Sequence, residues 1–296
     1  MSAGTGRAQA RAGWLFITPA LFLLAVFFAL PVVGGLLLSL TDFDLYAVAD
    51  PGAARFVGLA NFTSVLADGA FWRTFANTLT FVLLGAPLSI AVSLAAALLL
   101  DHRRARLRGL FRTIYFVPVV TTLVSVAIVW RYLYHPRYGL LNHGLGLLGL
   151  EPIDWLGDPR FAMPAIIILA VWKNFGYNML IFLAGLQTIP DALYEAASID
   201  GAGAWRRFRH ITLPGLAPTA LFVGVTTLIG FFQLFAEPYV MTQGGPLGAT
   251  RSLVLMMYEE GFRWWRMGLA STVAVLLLAI TVVAAFVQLR LQRRSP

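Results

Sequence analysis

The chain has 296 residues, 59% of them hydrophobic and only 12% charged, with a net charge of +8 and a mean hydropathy of +0.77. Soluble domains carry about 25% charged residues, so this composition excludes a large water-exposed globule and requires lipid around the chain. The absence of cysteine excludes disulfide frameworks, thiolate metal sites and cysteine nucleophiles.

The basic residues are arginines, apart from the single lysine, Lys173. They fall between apolar blocks, a pattern of membrane spans and not of a nucleic-acid surface. The first block, residues 14–40, follows Arg7 and Arg11. It is longer than the roughly 7–15 residues of a signal-peptide apolar region, so it reads as an uncleaved first span. Further blocks lie at 74–100, 110–134, 161–186, 216–240 and 267–290. About 20 apolar residues cross a bilayer as a helix, and a lone segment in lipid satisfies its backbone only as a helix. The expected fold is an all-α integral membrane protein with six transmembrane helices. Residues 1–73 form an N-terminal cytoplasmic tail, first span and outer loop, and residues 74–291 form the transmembrane core.

Counting arginines on alternate sides orients the spans. One side carries 13 arginines against four acids, and the other carries 8 against ten. The basic side is cytoplasmic by the positive-inside rule, which places both termini inside. Trp72, Trp130, Tyr132, Tyr134, Trp264 and Trp265 fall at outer edges and Trp14 at an inner edge, as interfacial aromatics do. Pro19, Pro31, Pro87, Pro118 and Pro164 interrupt spans. They reflect either ordinary tolerance of proline in membrane helices or kinks that shape a cavity.

Between the fourth and fifth spans lies a polar loop, residues 190–214. Pro190 and Asp191 suit a helix start. Leu193, Ala196 and Ala197 make a small apolar face, and Gly201 suits a left-handed helix end. A second short helix follows over 202–210, with Trp205 and Phe208 on one face and Arg206, Arg207 and Arg209 exposed. Pro214 is expected to stop it. Physically this is a helix–turn–helix under the membrane, presenting an apolar ridge to lipid or to a partner. The run Glu195-Ala196-Ala197, three residues, Gly201, nine residues, Ile211-x-Leu213-Pro214 resembles the EAA loop of ABC importer permeases. The flanks Pro190-Asp191-Ala192-Leu193-Tyr194-Glu195 and Tyr239-Val240-Met241-Thr242-Gln243-Gly244-Gly245-Pro246 resemble carbohydrate importer permeases of the maltose type.

The resemblance implies a type I ABC importer permease fold in a bacterial cytoplasmic membrane, with the loop as a cytoplasmic coupling helix. Glu195, Ala196, Ala197 and Gly201 then dock on an ATPase subunit. It also implies a second, homologous permease as heterodimer partner, two ATPase subunits and an extracytoplasmic sugar-binding protein. The chain has no Gly-x4-Gly-Lys-Ser/Thr phosphate loop. Hence it is not itself the ATPase, and ATP and Mg are used by the partner; His102, His135, His143 and His210 lie in loops or at span edges with no catalytic or metal spacing, so a membrane enzyme is disfavoured and no cofactor or metal is expected on the chain.

Span four carries Trp172-Lys173-Asn174-Phe175-Gly176-Tyr177-Asn178. Lys173 lies about 18 Å below the outer end, where a cation costs roughly 2.5–3.5 kcal/mol, so it should find a wet cavity or a partner. Glu237 is too near the outer end for a direct pair. Asn174, Tyr177 and Asn178 share one helical face and suit either interhelical hydrogen bonds or sugar hydroxyls. The family's sugar-contact register falls here on Lys173, Asn174, Tyr177, Thr227 and Phe231, with Gln233 and Glu237 as further candidates near the outer mouth. Cargo is expected to be a di- or oligosaccharide. Glycerol-3-phosphate is the rival within the class, because Lys173 suits phosphate, and a stand-alone secondary transporter is the rival class.

Overall fold

The computed structural model describes residues 3–50, 52, 54–101 and 107–292. His102, Arg103, Arg104, Arg106, Arg293 and Arg294 lie outside the described residues, as do the side chains of Arg7 and Arg11. The chain divides into two compact units.

The first unit comprises residues 1–68 and 257–276. Its α1 (Ala3–Leu24) passes through a π turn (Ala25–Ala29) into α2 (Leu30–Leu38), followed by α3 (Leu45–Ala49) and α4 (Ala60–Ala67). Asp44 caps α3 by accepting from the backbone N–H groups of Tyr46 and Ala47. The turn after α2 is tied down by side chains. Asn61 Nδ2 donates to the carbonyls of Ser39 at 3.0 Å and Thr41 at 2.8 Å, and the Thr272 hydroxyl reaches the Ser39 carbonyl at 3.3 Å.

The second unit comprises residues 69–256 and 277–296. It holds α5 (Gly69–Asp101), α6 (Arg108–Val120), α7 (Leu123–Leu133), α8 (Leu140–Leu147), α9 (Pro159–Leu186), α10 (Asp191–Ile199), α11 (Ala204–Arg207), α12 (Leu213–Gly215), α13 (Ala217–Phe232) and α14 (Ala236–Met241). Then come α15 (Leu253–Tyr258) and α16 (Met267–Gln292), each of which runs partly in the first unit. The centre is α9. Its first half packs Ile166, Leu169 and Ala170 against Phe81, Phe231 and Phe232. Its second half packs Met179, Phe182 and Leu186 against Ala97, Leu216 and Val223. Lipid tails are as apolar as leucine, so close packing and not apolar burial holds such helices together. Gly176 shows how close: a Cβ there would run into the Tyr115 carbonyl of α6.

Among the described residues five helices are long and apolar enough to cross a membrane, and a sixth crossing exists only if α6 and α7 are taken together. The expectation of one continuous third span over 110–134 is therefore corrected. The two helices meet at 101°, and neither half is long enough alone for a core of about 30 Å. Pro118, inside α6, removes one backbone donor there. Thr122 then opens α7 by accepting from Ser125 N. The second span begins at Gly69, five residues before the expected 74. Tyr134, at the end of its span, is buried, and its hydroxyl donates to the Ala165 carbonyl at 2.8 Å.

The 134–158 segment is held by Asn142. Its Nδ2 donates to the Pro136 and Ile153 carbonyls, and its Oδ1 accepts from Ile153 N and Trp155 Nε1. That uses the full hydrogen-bonding capacity of the amide. Asp158 caps α9, accepting from Arg160 N at 2.8 Å, and the hydrogen-bonded Arg160 guanidinium holds this carboxyl below its ordinary value.

Candidate functional site

Two features carry chemistry: the polar loop and a cavity in the second unit. In the loop, α10 ends in a left-handed residue, Gly201, at φ +72°. The Ala202 N–H closes onto the Ala197 carbonyl at 2.8 Å, the wide backbone bond of a glycine-terminated helix. The two arms are clamped together by Arg207 Nη1 donating to Ser198 Oγ at 3.0 Å, and by the Tyr194 and Thr212 hydroxyls at 3.0 Å. Trp205 and Phe208 lie ring against ring, with centroids 5.5 Å apart. Glu195, Ala196 and Gly201 are exposed and Ala197 is half-buried. Leu193, Ile199 and Trp205 are exposed as well, Ile199 at 87%. Of the apolar face expected from the spacing, Leu193, Ala196 and Trp205 are exposed while Ala197 and Phe208 are half-buried, and Ile199 adds to it.

Pro214 does not stop the second arm, contrary to expectation. A π turn (Phe208–Thr212) carries the chain into α12, and Pro214 sits in the first turn of that helix. A residue without an N–H costs nothing there.

The cavity measures about 500 Å³, inside the range of about 300–1,000 Å³ for small-molecule sites. All seven residues singled out in the sequence line it: Lys173, Asn174, Tyr177 and Asn178 from α9, Thr227 and Phe231 from α13, and Gln233 just beyond. Glu237 joins them, and so do Phe81, Leu123 and Thr226, which sequence reasoning missed. It sits where two helices are interrupted, at the α6–α7 bend and at the 233–235 break between α13 and α14. The Ser252 hydroxyl donates to the Leu234 carbonyl, which the break leaves without a helical partner.

Lys173 finds its partner in backbone. Its Nζ donates to the Pro118 carbonyl at 2.7 Å, the Thr121 carbonyl at 3.0 Å and, more weakly, the Val119 carbonyl at 3.4 Å. These carbonyls lie at the end of α6, where the helix supplies no further N–H donors, although the Pro118 carbonyl also accepts from the Thr121 hydroxyl at 2.7 Å; a cation there meets the negative end of the helix dipole. Among the described residues Lys173 makes no ion pair, and Glu237 is buried elsewhere in the cavity wall.

The other polar residues divide. Asn178 Nδ2 donates to Thr227 Oγ1 at 2.9 Å, and both are buried, so this pair ties α9 to α13. Asn174 Nδ2 bonds back to the Ala170 carbonyl at 2.8 Å, while the residue stays exposed to the cavity with Tyr177 and Gln233. Phe231 stacks on Phe81, with centroids 4.9 Å apart, and forms an apolar wall. Among the described residues no group of three or more His, Cys, Asp or Glu side chains is placed to hold a metal ion.

Residues 89–295 match the family of binding-protein-dependent transport system inner membrane components. The chain belongs to this family. The permease is 37% identical over 281 residues to the lactose transport system permease protein LacF of Rhizobium radiobacter, covering 93% of this chain and 92% of LacF. It is 36% identical over 285 residues to the trehalose/maltose transport system permease protein MalF of Thermococcus litoralis, covering 96% and 95%. With the sn-glycerol-3-phosphate transport system permease protein UgpA of Agrobacterium fabrum it shares 35% over 278 residues, covering 94% and 93%. In fold the permease superposes on a bacterial ABC transporter involved in the import of the acidic polysaccharide alginate. The TM-score is 0.81 at 23% identity, over 100% of this chain and 99% of that one. It is thus a multi-pass membrane subunit with the type I ABC importer permease fold.

Proposed function

We infer that this permease forms one half of the translocation pathway of an ATP-driven importer for a neutral di- or oligosaccharide. The observation that carries the choice of cargo is Lys173. Of the three donors of its ammonium, two are held at 2.7 and 3.0 Å by the Pro118 and Thr121 carbonyls at the α6 end. The ammonium is thereby committed to the helix end instead of standing free for a phosphate. The exposed Asn174, Tyr177 and Gln233 supply hydroxyl-matching polar groups, and the Phe81–Phe231 stack supplies an apolar face for a sugar ring. The interruption of two helices at the cavity agrees with the way transporters expose backbone only where it lines a site.

The relatives support the class: their names assign lactose, trehalose or maltose, and arabinooligosaccharides to LacF, MalF and AraP. UgpA, assigned to sn-glycerol-3-phosphate, is the reason the phosphate reading needs a test. ATP and Mg act on two separate ATPase subunits, which dock on Glu195, Ala196, Ala197 and Gly201. A second, homologous permease completes the pathway, and an extracytoplasmic binding protein delivers cargo. Both termini are cytoplasmic.

The test is reconstitution of the four-subunit complex in proteoliposomes with its binding protein. A neutral oligosaccharide should stimulate both ATP hydrolysis and uptake, and Asn174→Ala should lower uptake while the complex still assembles. Stimulation by glycerol-3-phosphate instead would overturn the cargo assignment, and uptake without ATPase subunits would overturn the class.

A further inference from the structure

The connection between α7 and α9 carries its polarity inside out. Its helix α8 buries Asn142, whose amide makes all four of its hydrogen bonds within the connection. The other side is leucine: Leu147 is 77% exposed and Leu148 76%, and Leu140, Leu141 and Leu150 are exposed beside them. A helix against water does the reverse, apolar face in and polar face out. Residues 139–150 contain no charged side chain, and His143 is the one exposed polar side chain among them. The helix end is closed as well. The Leu150 N–H returns to the Leu145 carbonyl at 3.0 Å around Gly149, which sits at φ +73°.

Length, charge and place identify what covers this face. An apolar run of about 10–14 residues is too short to cross a bilayer and is either a buried core helix or a segment lying at the interface. The exposure of the leucines removes the first choice. The connection leaves α7 at Leu133 and enters α9 at Pro159, so both of its ends are fixed where spans reach the membrane surface. Charges stand only at the borders of the run, Arg137 before it and Glu151 after it. A docking surface for a soluble partner carries a polar rim and hydrogen bonds, whereas this face offers one imidazole. Helices that pair inside a membrane approach over small residues, whereas leucines project here. Interfacial helices sink an apolar face about 5–10 Å into the boundary of headgroups and acyl chains, and this face has the side chains for it.

We propose that α8 is a lipid anchor, with Leu140, Leu147 and Leu148 sunk among the acyl chains of the leaflet in which α7 ends and α9 begins. The anchor holds the far end of α7, the half-helix beyond the bend. Asn142 Oδ1 accepts from Trp155 Nε1 at 2.9 Å, and the Trp155 ring lies 5.6 Å from that of Tyr134, at the end of α7. The inference needs neither the cargo assignment nor the ATPase partners.

The chain has no cysteine, so Leu147→Cys and Leu148→Cys each give one site for a nitroxide, with Glu151→Cys as the reference outside the apolar run. The whole transporter complex, with cysteine-free partner subunits, is placed in nanodiscs of phosphatidylcholine and phosphatidylglycerol. Collision rates are measured with oxygen, which concentrates in lipid, and with a neutral nickel chelate, which stays in water. Oxygen collisions should exceed nickel collisions at 147 and 148, and the order should reverse at 151. Nickel-dominated collisions at 147 and 148 would place the face in water. Low rates with both reagents would place it against protein, either the second permease or the binding protein. Each of these two results would overturn the anchor. Both positions are exposed, so neither substitution disturbs the packed interior, and agreement between them guards against a local effect of one label.

Discussion

Lys173→Met keeps the aliphatic stem and removes only the ammonium, so it isolates what the cation does at the α6–α7 bend. The bonds to the Pro118 and Thr121 carbonyls, at 2.7 and 3.0 Å, are within normal length, whereas the 3.4 Å contact to Val119 contributes little. A hydrogen bond to a charged group contributes about 1.5–3 kcal/mol, so the two good bonds together hold about 3–6 kcal/mol. Against them stands the cost of about 2.5–3.5 kcal/mol for a lysine deep in a membrane. The difference is a net loss of about 0–3 kcal/mol, too small to unfold a helical core but enough to free the junction of the two half-helices. Spin labels at Ile114 and Val129, both exposed on opposite arms of the bend, should give a narrow distance distribution in the parent complex and a broad one in Lys173→Met, with uptake reduced and assembly intact. An unchanged distribution together with unchanged uptake would refute the reasoning. A loss confined to anionic cargo would show instead that the ammonium serves the solute and not the helix end.

The coupling loop gives a second expectation. Gly201→Pro, which cannot adopt φ +72°, and Glu195→Lys should leave the protein in the membrane and separate ATP hydrolysis from uptake; normal uptake in either variant counts against docking on this loop. Asn142→Leu removes four hydrogen bonds and strands their partners, so the melting temperature in detergent should fall by an amount equivalent to about 2–4 kcal/mol. A double-mutant cycle of Asn178→Leu and Thr227→Val should give a coupling of about 0.6 kcal/mol, and no more than about 1.7. No coupling would mean that these groups point at cargo and not at each other.

Helices, loop and cavity were legible in the sequence to different depths. The long apolar blocks announced α5, α9, α13 and α16 because lipid admits a lone segment only as a helix. The Gly201 turn was legible because few other residues take its backbone. Grouping of the seven cavity residues followed from helical spacing and family register. The α6–α7 bend was not legible: Thr121 and Thr122 barely lower the hydropathy of the block, and Pro118 alone has two readings. The partner of Lys173 was hidden for a related reason. The charge of the ammonium points to an acidic side chain, whereas the acceptors are backbone carbonyls that become available only where α6 ends. Pro214 misled because a π turn upstream resets which residue begins the next helix. Asn142 gave no signal, since an asparagine in a loop reads as a turn former until its four partners are brought around it.

The first span differs from the others in a way that bears on how the sequence can change. None of the apolar window within Ala12–Leu38 is buried inside the chain, whereas 56% of the corresponding window in Pro159–Leu186 is. Exchanging leucine, isoleucine, valine and phenylalanine among themselves in the first segment alters neither its length nor its solubility in lipid, and disturbs no interior neighbour. The same exchanges in α9 would open or overfill a close-packed interior. One hydrophobic stretch is therefore written in a degenerate alphabet and the other letter by letter. A saturation library of this gene should separate the two as a flat profile beside a ridged one.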